Sequence, residues 1–433
     1  MKKTMLALVF GFAAFTAGAE TIDFEKYIEI TSRGNRDYMI AKEELNIAAA
    51  DMRIAAGRFA PVLTLQGGMS PLVKPSVVEV PAGILGPSAM SLPLSSQPAW
   101  SSRVSLSQPL ITFGKLEWGF MVQQEAYEIA RINFKRAEEK LKLDAIAAFY
   151  GALIAKELKA INEEALKRTE ENLKITKKKY ESGEVPKLDF LRAQVEASNM
   201  APEAVRAASQ YTLALKNFKS AAGLPLEKDI EPSGEAKYAK FELSYDEAKA
   251  AFEKKSDEMQ ITKKVTDLQN KRLLLAGAMA LPSIGLDMGV NYYTFESDFR
   301  ADREIWRTSW DVSIGFSWAF FDGFRNINEI AKAAASVEMQ KLNEEKTSDM
   351  LSMQFEKLYS TLEENRGIIE AADMTIKTAE EGYKTAKESY MNGLARPIDL
   401  LDAELNLMKS RINYLNALYS YTVAVQELKN FIQ

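Results

Sequence analysis

The stretch DVSIGFSW, Asp311 to Trp318, decides how this chain is read. Val312, Ile314, Phe316 and Trp318 alternate with Asp311, Ser313, Gly315 and Ser317. Side chains along a β-strand point to opposite faces in turn, so this run is a strand with one apolar face and one polar or small face. SIGLDMGVN, Ser283 to Asn291, repeats the pattern with Ile284, Leu286, Met288 and Val290 on one side. Two weaker runs lie upstream. In VLTLQGG, Leu63 and Leu65 oppose Thr64 and Gln66; in SRVSLSQPL, Val104 and Leu106 oppose Arg103, Ser105 and Ser107.

Strands of this length, apolar outside and polar inside, are the signature of a transmembrane barrel wall. Aromatic residues crowd the strand ends: Tyr292, Tyr293, Trp306, Trp310, Trp318, Phe320 and Phe321. Belts at bilayer interfaces have this composition. Alternation alone also suits one face of a soluble sandwich, but a sandwich needs more than four strands to cover these faces. Four strands cannot close a barrel, and lipid does not tolerate an open sheet edge. Several chains must therefore share one barrel, and three chains of four strands give twelve, an even number within the known range. The expected fold is mainly α with a membrane β-barrel. It combines long α-helical coiled-coil hairpins with four transmembrane strands per chain in a trimeric tunnel.

The chain is also a repeat of itself. Tyr180-Glu-Ser-Gly183 matches Tyr390-Met-Asn-Gly393, and Asp189-Phe-Leu-Arg-Ala193 matches Asp399-Leu-Leu-Asp-Ala403, both 210 positions apart. Pro61 and Pro282 correspond at an offset of 221. The spacing predicts a first helix–strand–strand–helix repeat over 20–222, a linker over 223–242 and a second repeat over 243–433. Each repeat opens on a helix-like run (24–60 and 243–280). After the strands comes a stretch without proline, Lys115–Tyr180 and Arg325–Tyr390, 66 residues in both copies. As a helix it reaches about 100 Å. A glycine turn and a return helix follow. Alanines such as Ala126, Ala130, Ala334 and Ala335 let helices approach closely. By themselves these helices also fit a free-standing coiled-coil rod, so a soluble periplasmic scaffold or adaptor is the alternative that the strands oppose.

Residues 1–19 read as a signal peptide: Lys2 and Lys3, an apolar core TMLALVFGFAAF, and Ala17-Gly18-Ala19 as a small-residue cleavage site. The chain has no Cys and no His, which removes the usual ligands of zinc, haem and iron–sulfur sites and every His-dependent catalytic triad. No cofactor and no enzymatic activity are expected. The net charge of −5 argues against a nucleic-acid partner. No later segment reaches the apolar length of a membrane-spanning helix.

Near the end of the chain stands PIDLLDAEL, Pro397 to Leu405. Asp399 and Asp402 lie three apart just after a glycine turn. Under three-fold symmetry they would form rings of carboxylates around one constriction, and acidic rings make pores cation-selective. The plainer reading is that Asp399 is a helix N-cap and Asp402 a first-turn acid favoured by the helix dipole. Asp189 in the first repeat reads more simply as a cap, and Arg192 stands where the second repeat has Asp402.

Taken together, the signal peptide, the two-fold repeat, FFDGF (320–324) at a strand-to-helix corner and the tip pattern Y-x-x-G-x(5)-D-x-L-x-A resemble the TolC family of outer-membrane efflux and secretion channels. The resemblance covers essentially the whole mature chain. It implies a homotrimer whose barrel sits in outer-membrane lipid and whose helices form a periplasmic tunnel. The partners implied are a periplasmic adaptor (membrane fusion) protein and an inner-membrane pump, in tripartite efflux or type I secretion. It further implies that Asp399 and Asp402 line the closed aperture and that Tyr390 belongs to the network closing it. The arginine expected two residues after the tip glycine is displaced, with Ala395 there and Arg396 one later. The asparagine–proline pair common near the N-terminus is altered too, Asn35 being followed by Arg36. Gly183, Val185, Leu188, Gly393, Leu394 and Ile398 at the tips are candidates for adaptor contact and equally for helix packing. The proline-rich segment Ser70–Ser102 reads as a surface loop.

Overall fold

The computed structural model describes residues 20–70, 76–84, 86–95, 99–295 and 306–432. The expected signal peptide lies outside the described residues, as does the middle of the 292–309 connection. In chain order the elements are β1 (Glu20–Ile22), α1 (Phe24–Gly34), α2 (Arg36–Gly57), β2 (Val62–Met69), β3 (Ser76–Val80), β4 (Met90–Ser95), β5 (Trp100–Ile111), α3 (Lys115–Glu181) and α4 (Lys187–Ala221). The second half supplies β6 (Ile230–Pro232), α5 (Tyr245–Lys255), α6 (Asp257–Met279), β7 (Ser283–Thr294), β8 (Arg307–Ser317), α7 (Arg325–Met391) and α8 (Pro397–Ile432). The long helices α3 and α7 have 67 residues each. Among the described residues no helix is long and apolar enough to cross a membrane.

Compactness divides the chain along a different line from the repeat. Among the described residues, one unit falls within 44–131 and 261–346, with the main sheet; the other falls within 20–43, 132–260 and 347–432. In the first unit, antiparallel strands run in the order β2-β5-β7-β8. The register sets Leu65 opposite Val104, Val104 opposite Val290 and Val290 opposite Trp310, with Leu286 opposite Ile314. That face is bare: Leu65 is 75% exposed, Ile314 71% and Trp310 77%. At ~3.3 Å per residue and a tilt of about 40°, a twelve-residue strand such as β7 spans about 30 Å, the thickness of a bilayer core. Among the described residues, β2 and β8 end the sheet with unpaired edges.

The second unit holds two cores built on corresponding positions. In the first repeat Tyr27 of α1 fills the centre with Phe149 and Phe218, its ring stacked 4.3 Å from Phe218, and Ala145 is the small residue of the long helix. In the second repeat the sizes are exchanged: Ala248 stands for Tyr27 and Phe355 for Ala145. The aromatic mass moves from the short helix to the long one while the site stays filled. Close packing demands such compensation, because a methylene too many or too few is felt.

The expected single helix-like runs 24–60 and 243–280 are each broken in two. Asn35 sits in extended conformation, ends α1 and caps α2 by accepting from Tyr38 N–H at 3.0 Å. Its Nδ2 donates to the Ala221 carbonyl at 2.9 Å, so the break is tied to the end of α4. Ser256 makes the matching break between α5 and α6. Asparagine and serine carry caps of this kind because their short side chains reach the backbone. The segment Ser70–Ser102 also departs from a plain loop, since β3 and β4 pair in it as an antiparallel hairpin.

Candidate functional site

The turns that join α3 to α4 and α7 to α8 share one geometry. Gly183 and Gly393 have φ of +82° and +75°. Gly183 N–H donates to the Tyr180 carbonyl at 3.1 Å and Glu184 N–H to the Lys179 carbonyl at 2.8 Å. Gly393 and Leu394 do the same to Tyr390 and Ser389 at 3.1 and 2.8 Å. This double bond pattern closes a helix end through a left-handed residue, which glycine adopts without a steric penalty. Leu394 is 83% exposed; Leu188, Gly183 and Gly393 are exposed, and Val185 and Ile398 are half-buried.

Asp399 is not an N-cap. It stands three residues into the return helix, accepts from Arg396 N–H at 3.0 Å and takes the Arg396 guanidinium at 3.0 Å. That guanidinium holds its carboxyl below the usual carboxylate range. Asp189 is likewise inside its helix: Pro186 is the cap residue, and Asp189 lies 4.0 Å from Arg192. Asp402, one turn beyond Asp399, is exposed. Arg396 thus pairs with Asp399 and is not brought to Tyr390.

Tyr390 is buried, and burial pushes its phenol up. Its hydroxyl meets the Thr176 hydroxyl at 2.8 Å. Lys179 Nζ donates to the Tyr390 carbonyl at 2.7 Å and lies 4.4 Å from the ring centroid, within cation–π range. These contacts tie α7 to α3. Tyr180, the repeat partner of Tyr390, instead stacks on Phe190 in its own hairpin at 5.4 Å. Sequence reading missed Thr176 and Lys179. The available signal was a polar stripe: Thr169, Asn172 and Thr176 recur at helical spacing on a face of α3 that is buried.

On the polar face of the sheet one arginine gathers three strands. Arg103 Nη1 donates to Asp311 at 2.7 Å and Asn291 at 3.0 Å; Nη2 donates to Asp287 at 2.9 Å and Asp311 at 2.8 Å. Gly289 makes room, since a Cβ there would lie 2.3 Å from Nη2. Arg103→Ala leaves two carboxylates facing each other without their cation. It is expected to lower the melting midpoint in detergent by several degrees, and Gly289→Val, which displaces the guanidinium, to reproduce the effect. Equal midpoints for both variants and the parent would remove any role for the cluster in holding β5, β7 and β8.

The aromatic residues fall into two groups. Tyr292 stacks on Trp306 at 4.6 Å. Trp318 donates to the Ala280 carbonyl at 3.1 Å and lies 6.5 Å from Phe320, while Phe321 lies 5.6 Å from Phe324. Trp318, Phe320 and Phe321 are exposed. Trp310 is exposed within β8, and Tyr293 lies 5.5 Å from Phe295.

A four-stranded sheet with a bare apolar face and two hairpins of long helices define a class, the channel wall. The family model described as outer membrane efflux protein matches residues 31–224 and 254–432, and the chain belongs to that family. Solved structures share the fold. A membrane protein from Pseudomonas aeruginosa superposes with TM-score 0.77 at 16% identity, covering 99% of this chain and 100% of that one. The CmeC outer membrane channel of Campylobacter jejuni gives 0.76 at 15% identity, covering 100% and 94%. The open state of the MtrE outer membrane channel of Neisseria gonorrhoeae gives 0.72 at 17%, covering 94% and 88%. No curated protein matches the chain. The protein is an outer-membrane efflux channel component rather than an enzyme, and the family gives no support to a soluble scaffold.

Proposed function

We propose that three copies of this chain form the exit duct of a tripartite efflux pump or type I secretion system, gated at the glycine turns. The observation that carries this reading is the four-stranded sheet with an exposed apolar face and open edges at β2 and β8 in an outer membrane efflux protein. An edge in lipid must be paired, and β2 of one copy against β8 of the next closes a twelve-stranded barrel with three copies. Tyr292, Trp306, Trp310, Trp318, Phe320 and Phe321 then sit at the bilayer interfaces; Tyr293, expected with them, falls on the polar face of β7 with Asn291 and turns inward. Segment 223–242 links the two repeats. Leu394 and Leu188, with Gly183, Val185, Gly393 and Ile398, offer the adaptor of the pump an apolar contact at the tips.

Asp399 and Asp402 face the aperture in this reading. Asp399 is paired with Arg396, so Asp402 carries more of the selectivity. Tyr390 closes the gate with Thr176 and Lys179, and Arg396 acts on the acids instead. Single-channel conductance in a planar bilayer tests the reading. The parent is expected to conduct and to be blocked by a trivalent cation from the tip side. Asp399→Ala/Asp402→Ala is expected to conduct with block weakened at least tenfold, because acidic rings concentrate cations. Protein that never inserts or conducts sinks the channel reading; equal block in both proteins sinks the role of the acids alone.

A further inference from the structure

Glu404 lies on α8, two residues after Asp402, and is 5% exposed. Its Oε2 accepts from Asn172 Nδ2 of α3 at 3.1 Å. Its Oε1 meets no hydrogen-bond donor among the described residues. A buried ionised carboxylate with one oxygen unmet is costly, whereas a protonated one is far less so. The surrounding charges do not resolve the cost. Arg168 of α3 and Lys387 of α7 favour the anion, Glu196 of α4 opposes it, and Tyr383 of α7 faces the same site. Burial dominates and pushes the carboxyl up to about 7.

The surface against which Glu404 packs is polar. Along α3, Thr169 is bonded to its own helix at the Ala165 carbonyl, Asn172 to Glu404 and Thr176 to Tyr390. All three are buried. Between Leu400 and Leu407, buried one turn to either side on α8, this stripe is the part of the contact that water can enter at least cost, since its groups exchange one set of hydrogen bonds for another.

We propose that Glu404 is a proton-operated latch on the tip: protonated, it holds α8 against α3, and ionised, it favours a rearranged state in which α8 and the acids at its start move away and water reaches the carboxylate. The proposal rests on the tip being the gate. The sign follows from linkage. A hydrated carboxyl ionises near 4.5, so the packed arrangement gains a proton that the rearranged one lacks, and it loses this advantage as pH rises from about 4.5 to about 7. Over that window the balance shifts toward the rearranged state on the order of 100-fold per copy, and above it no further.

The test uses two readouts on the full chain. The absence of cysteine allows spin labels at Lys174→Cys of α3 and Asn406→Cys of α8, both exposed positions. The label distance is expected to lengthen as pH rises from about 4.5 to about 7, and to stay at its low-pH value in Glu404→Gln, which keeps the neutral shape. Open probability in a planar bilayer is expected to rise over the same window in the parent and to stay flat in Glu404→Gln. Identical pH dependence in both proteins, or lengthening on acidification, overturns the latch. Labels that move in the parent alone, in protein that never conducts, uphold the latch and sink the channel reading instead.

Discussion

Gly223→Ala is expected to destabilise the protein by about 3 kcal/mol or more, among the largest effects of a single methyl group. Gly223 has φ of +66°, and a Cβ there would lie 2.0 Å from the Gly34 carbonyl oxygen. The reverse holds as well: a Cβ on Gly34 would lie 2.4 Å from the Ala222 carbonyl oxygen. Both obstacles are backbone atoms, which cannot rotate aside. This is where the break at Asn35 meets the end of α4, beside the buried Phe218 and Ala222, so relief would have to come from the core. Thermal unfolding followed by circular dichroism measures it. Gly277→Ala in α6, where nothing lies within 4 Å, serves as the contrast and is expected to be neutral or slightly stabilising. Equal midpoints for Gly223→Ala and the parent would show that the two backbones are not in contact.

The second large effect concerns the proposed gate. Tyr390→Phe combined with Lys179→Ala removes the hydroxyl contact to Thr176, the ammonium bond to the Tyr390 carbonyl and the cation–π contact. At about 1 kcal/mol net for each bond, the pair shifts the closed-to-open balance by about 2 kcal/mol per copy, or roughly 30-fold. Open probability in a planar bilayer should rise accordingly while the melting midpoint stays near that of the parent, because the sheet and the two cores are untouched. No change in open probability in folded protein would show that α7 is not held to α3 by Tyr390. Thr176 can fall back on its own helix carbonyl, so Tyr390→Phe alone is expected to give the smaller part of the effect.

Much of this protein is written in local patterns. Period-two alternation at Ser283–Asn291 and Asp311–Trp318 names strands because a strand has only two faces; β7 covers the first run and β8 the second as far as Ser317, with Trp318 just past its end. The long runs without proline name α3 and α7, and the glycines at 183 and 393 name the turns because glycine enters the left-handed conformation there without a steric penalty. What periodicity does not carry is a contact between residues far apart. Tyr390 could be matched by its place in the repeat, but nothing local marks Lys179 or Thr176, more than 200 positions away, as its partners. Glu404 reads along the chain as one more acid of a solvated helix start; only the convergence of α3, α4 and α7 on it makes it a buried carboxyl.

The sequence by itself determined the kind of wall this chain builds, its two-fold grammar and the places where its hairpins turn. These depend on residues within one strand or one turn, where backbone geometry converts spacing directly into direction. Tertiary structure alone decided which residues of α3 hold Tyr390, how the aromatic mass passes from Tyr27 in one core to Phe355 in the other, and where α1 stops so that Gly34 can meet Gly223. Those outcomes are set by which surfaces come within van der Waals reach of each other, and a list of residues in order does not state that distance.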